Sequence, residues 1–85
     1  MGETDKIMYA LGYYSADPRK KEQIQSYIDE ATEFMRESGV SDDKLTSQRA
    51  FAVKSIWADY RDKGEYEKII KKDGMIVALV AQLRR

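Results

Sequence analysis

A chain of 85 residues is the size of a single domain, and 42% apolar with 35% charged side chains describes a globular chain rather than a disordered one. There is no Cys, which excludes disulfides, thiolate metal sites and cysteine nucleophiles, and no His, which removes the commonest general base and metal ligand. Fifteen basic and fifteen acidic side chains cancel, which argues against a free-standing nucleic-acid binder.

The opening stretch MGETDKIMYALGYY is acidic, and polar residues interrupt its apolar positions, so it does not read as a signal peptide. Thr4 is the expected cap of a short first helix carrying Ile7, Met8 and Leu11, and Gly12 marks its end. Tyr13 and Tyr14 follow near a turn, where packing against the next helix is the ordinary role for such a pair.

The clearest start signal is SADPRKKEQ. Asp17 can accept a hydrogen bond from a free N–H of the first turn, and Pro18 has no N–H to leave unpaired and a φ already suited to a helix. Ile24, Tyr27, Ile28, Ala31, Phe34 and Met35 then recur at spacings of three and four, which puts them on one helical face. Asp29, Glu30, Glu33, Arg36 and Glu37 lie mostly away from it, and Gly39 supplies a left-handed C-terminal residue. The carboxylate pairs Asp29/Glu33 and Glu33/Glu37 read as a solvated face rather than as acid–base machinery.

GVSDDKLTS is a loop with possible caps at Ser41 and at Thr46 or Ser47. Asp42 and Asp43 suit a helix N-terminus better than half a metal site. A third helix is expected to run to about Lys63, with its main stripe at Ala52, Val53, Ile56, Trp57 and Tyr60. At 100° per residue Phe51 and Ala58 fall on the opposite side, beside Ser55 and Asp62. Either a neighbouring element covers Phe51 or it contacts another subunit.

Gly64 breaks that pattern, and EYEKIIKKDG reads as a loop with one helical turn or as a short strand, since Ile69 and Ile70 are β-branched. Asp73 is the expected cap of the last helix, in which Met75, Ile76, Leu79, Val80 and Leu83 make one wide apolar face. Ala78, Ala81, Gln82 and Arg85 share the other side, and Arg84 and Arg85 suit the carbonyl end of the helix. The apolar run from Gly74 to Leu83 is too short for a membrane span, which takes ~20 residues. The fold class expected is all-α, a small bundle of three to four helices forming one domain over residues 1–85.

Motifs for chemistry are missing: no phosphate loop, no nucleophile elbow, no metal-ligand spacing. No catalytic residue, cofactor or metal is expected, and with carboxylates, Lys and Tyr alone the chain does not read as an enzyme. Residues 1–40 carry five Lys/Arg against eight Asp/Glu and residues 41–85 carry ten against seven, so the halves are −3 and +3. That asymmetry either helps identical subunits attract head to side or is a chance partition.

The order of features resembles the phage head–tail connector family, the small adaptor proteins of long-tailed phages and prophages. The likeness covers roughly residues 18–85 and rests on IQSYIDEATEFMRESGV, AVKSIWADYRDKGE and MIVALVAQLRR. Leu79, Gln82, Leu83 and Arg84 match the family's ending, and Trp57 and Tyr60 match the aromatic end of its third helix. The compact GEYEKIIKKDG departs from the family, where this region varies and can reach toward neighbours or the channel. The resemblance implies a structural subunit that is monomeric when free, or already oligomeric, and forms a ring homo-oligomer on assembly below the portal. Its implied partners are the portal protein, a tail or stopper protein and, without sequence specificity, packaged DNA. Its implied location is the virion head–tail junction, with the host cytoplasm before assembly and no membrane. Subunit contacts are expected at Phe51, Ala58, Ala78, Ala81, Gln82, Arg84 and Arg85, and channel contacts at Lys71 and Lys72. The alternative is a small regulatory module of a mobile element that binds nucleic acid or protein.

Overall fold

The longest helix owes its limits to its ends. The Asp17 carboxylate accepts from the Arg19 N–H at 3.0 Å, and Pro18 opens the helix. Two residues past the end of this 20-residue helix the chain turns out through Gly39 at φ +96°, a conformation costly to any residue with a Cβ. There Val40 N–H reaches Met35 O and Gly39 N–H reaches Arg36 O, both at 3.0 Å, so two carbonyls of the last turn are paired. Gly12 and Gly64 end the first and third helices in the same way.

A computed structural model describes residues 2–14, 17–69 and 74–84. Among them are four α-helices, α1 (Glu3–Ala10), α2 (Pro18–Glu37), α3 (Gln48–Asp62) and α4 (Met75–Leu83), and no strand. Short 3-10 turns lie at Asp42–Lys44 and Tyr66–Lys68. The protein is a small all-α bundle. The turn at Tyr66–Lys68 is the helical one of the two conformations expected there, and it leads into Ile69, which is buried.

The start signals of the other helices fare differently. Gly2, not Thr4, caps α1, and Thr4 is buried inside the helix with its hydroxyl on Gln25 Oε1. Of the candidates before α3, Ser47 is the cap, its Oγ accepting from Ala50 N–H at 3.2 Å. Gly74 caps α4, whereas Asp73 lies outside the described residues.

α3 is the central helix and packs against α2, α4 and α1. The core therefore has two parts. The larger joins Ala31 and Met35 of α2, Val53 and Trp57 of α3, and Ile76, Val80 and Leu83 of α4, with Val40, Leu45 and Ile69 from the connections. The smaller lies on the other side of α3, where Ile7 and Met8 of α1 meet Ile24 and Ile28 of α2 and Ala58 of α3. Ile24 and Ile28 are four residues apart on one face of α2, and Tyr27 touches both parts. This two-sided burial corrects the single stripe expected for α3: Ala50, Val53, Lys54, Trp57 and Ala58 are buried, while Ala52, Ile56 and Tyr60 are only half-buried. In α4 the buried face is Ile76, Val80 and Leu83, and Met75 is 63% exposed, outside the face to which its spacing assigned it.

Candidate interaction surface

Each proposed contact residue has a definite place or none. Ala58 has no exposed surface, because α1 and α2 cover it. It is therefore part of the core and cannot meet another subunit. Phe51 is half-buried against the smaller core cluster, so a neighbouring element does cover it. Helical spacing put both residues opposite the main stripe of α3 correctly. That side faces α1, which a wheel of α3 alone does not contain.

Ala78, Ala81, Gln82 and Arg84 are exposed. Ile76, Val80 and Leu83 turn the large side of α4 into the core, which leaves its small side outward. Arg84 lies against the end of α2: its Nε is 3.7 Å from where a Cβ on Gly39 would stand. That places a cation beside the terminal carbonyls of α2, where it complements the helix dipole. Arg85, Lys71 and Lys72 lie outside the described residues.

An open groove of about 680 Å3 runs beside this face. Leu79, Gln82 and Leu83 form one wall, and Ser47, Gln48 and Arg49 at the start of α3 form the other with Lys44. Gln82 is thus the candidate that joins the exposed side of α4 to another element. Arg49 and Gln48 were not signalled by the sequence, because nothing in a one-dimensional pattern says that the start of α3 returns to the end of α4. No group of three or more Asp, Glu, Cys or His among the described residues could hold a metal ion, and no helix there is long and apolar enough to cross a membrane.

Electrostatics fasten the bundle at the other end of α3. The Tyr13 hydroxyl donates to Asp62 Oδ2 at 2.6 Å, and the Lys20 ammonium donates to Asp62 Oδ1 and lies 4.6 Å from the centre of the Tyr13 ring. The turn after α1, the first turn of α2 and the last turn of α3 meet at this carboxylate. Its hydrogen bonds to Asp62 and then Tyr13 hold the Lys20 ammonium above its ordinary 10.5. Burial pushes the Asp62 carboxyl up, but the hydrogen bonds from Lys20 and Tyr13 outweigh burial and hold it below its ordinary 3.8. Asp62 therefore stabilises the fold above pH 3.8 and ceases to do so as pH falls through its lowered folded value. Lys20 stabilises it below pH 10.5 and ceases to do so as pH rises through its raised folded value. Asp62→Asn is expected to cost about 1 kcal/mol at neutral pH, because the groups are partly solvated. In urea melts the gap between parent and variant should close as the pH is taken below 3.8.

No family model matches the chain, and no curated protein or solved structure matches it.

Lys54 was missed altogether. It sits within the apolar part of α3, yet its side chain is only 5% exposed. Its Nζ reaches Glu3 Oε1 and the Leu45 carbonyl, both at 2.8 Å. A lysine in a helical pattern reads as solvent-facing, and only the return of α1 over α3 supplies the carboxylate that lets it be buried.

Proposed function

We infer that the chain is a structural subunit of a phage or prophage head–tail connector, one that assembles as a ring below the portal, extends the DNA channel and joins head to tail. The observation that carries this reading is the closing helix. Ile76, Val80 and Leu83 are consumed by the core, while Ala78, Ala81 and Gln82 stay exposed beside a groove edged by Arg49. A helix side made of small residues lets another backbone approach closely. The pattern likeness of residues 18–85 to the connector family supports the same role, with the portal and a tail or stopper protein as partners.

The mechanism is repetition of one modest contact. A head-to-tail interface closes into a ring when its rotation fits, and the assembly then gains from many identical patches. The virion head–tail junction is the location that follows, after synthesis in the host cytoplasm, and packaged DNA passes the ring without sequence-specific contact.

Light scattering of the purified chain over a wide concentration range, with and without a portal protein, tests the role. Ring-sized particles or capture by the portal are expected for the parent. The Ala78→Glu, Ala81→Glu double variant should stay monomeric and uncaptured with its helicity intact. A parent chain that remains monomeric and ignores the portal at every concentration would overturn the connector role in favour of a small regulatory module.

A further inference from the structure

A second open groove, of about 350 Å3, lies along the C-terminal half of α2. Phe34, Trp57 and Tyr66 form its apolar part, and Glu30, Glu33 and Glu37 edge it. Phe34 and Trp57 lean together with ring centres 5.2 Å apart, Trp57 is 5% exposed, and Tyr66 is 47% exposed. A groove that is aromatic beneath and anionic at its edge has one obvious complement, a cation carried on an apolar stem.

The chain already seats one such cation at one end of this groove. Arg61 lies 5.0 Å from the centre of the Tyr27 ring and 5.1 Å from that of Tyr66. Its guanidinium donates to both oxygens of Glu30, at 3.0 and 3.2 Å, and Trp57 Nε1 donates to the same carboxylate at 3.1 Å. The other two carboxylates are differently placed. Glu33 has only a 3.8 Å contact with Arg36, which also pairs with Asp42 at 3.3 Å. Glu37 has no hydrogen bond or ion pair among the described residues. The two stand four residues apart on one helix, a like-charge spacing that is unfavourable in the free chain and that a cation between them would relieve.

We propose that this groove is a docking site for an arginine- or lysine-bearing segment of a partner protein, whose cation sits between Glu33 and Glu37 over the aromatic surface. A nucleic acid does not suit it, because phosphates would meet three carboxylates. The chain's own Leu83–Arg84 does not supply the occupant, since Leu83 is buried and Arg84 lies beside Gly39. The site is independent of the connector role, because a chain that never forms a ring still carries the groove.

Trp57 is the single tryptophan of the chain and belongs to the groove, so its fluorescence reports occupancy directly. The full chain would be titrated with a blocked leucine–arginine–arginine–leucine peptide and with the same peptide carrying neutral citrulline at both arginine positions. A saturable change is expected with the arginine peptide. Binding should be at least ~10-fold weaker for the citrulline peptide, and also for the Glu33→Gln, Glu37→Gln variant, because each removes the charge attraction. Both glutamates are exposed, so circular dichroism should find that variant folded. No saturable change up to about 1 mM peptide, or equal affinity across these pairs, would overturn the site. A fluorescence change that follows protein concentration alone would overturn it too, by assigning the groove to a second copy of the chain.

Discussion

Ala58→Asp is expected to unfold most of the protein, whereas Ala78→Asp leaves it standing. Both positions are helical alanines, and both read from sequence as contact candidates. Ala58 has no exposed surface and lies among the apolar side chains of Ile7, Met8, Ile24 and Ile28. An aspartate there must either bury an unpaired charge or push α1 away and expose those four apolar side chains. Either outcome costs more than about 3 kcal/mol, against a total of only ~5–15 kcal/mol for a small domain. Ala78 is exposed, so its substitution changes stability by less than about 0.5 kcal/mol. Urea melts followed by circular dichroism separate the two. Phe51→Asp should move in the same direction as Ala58→Asp by a smaller amount, since Phe51 packs on the same cluster but is only half-buried. Equal midpoints for the Ala58 and Ala78 variants would mean that α1 does not cover α3.

Glu3→Ala should cost about 2 kcal/mol, a large effect for an exposed first-turn residue. The loss falls on Lys54, whose ammonium would keep only the Leu45 carbonyl in a site 5% open to solvent. Glu3 is itself 39% exposed, which limits the cost below that of a fully buried pair. Lys54→Met removes the ammonium and returns Glu3 to water, so its own cost is smaller, roughly 1 kcal/mol for the unpaired Leu45 carbonyl. With Lys54→Met in place, Glu3→Ala should add almost nothing. A double-mutant cycle in urea reads that difference as coupling across 51 residues of chain. Additive losses would place the effect of Glu3 in the helix dipole of α1 rather than in the pair.

The helices were legible because their limits are local. Asp17, Pro18, Gly39 and Ser47 act on backbone groups within a few residues, and the spacing from Ile24 to Met35 marks one side of α2 regardless of what covers it. Thr4 misled because a threonine before an apolar run is as good a cap as it is a buried hydroxyl, and its partner Gln25 is 21 residues away. Lys54 and Ala58 were illegible for the same reason, since their surroundings arrive from α1 at the far end of the chain.

Local chemistry in the sequence was enough for an all-α class, the helix boundaries set by caps and glycines, the amphipathic form of α2 and the lack of thiol and imidazole chemistry. Tertiary structure alone decided that α3 is buried on two sides, that α1 covers Phe51 and Ala58, and that Glu3 and Lys54 pair. It alone decided that Trp57, Tyr66 and the glutamates of α2 share one groove. Helix formation is set by neighbours three and four residues away, whereas burial depends on which distant segment returns to which side, and no periodicity in one helix records that.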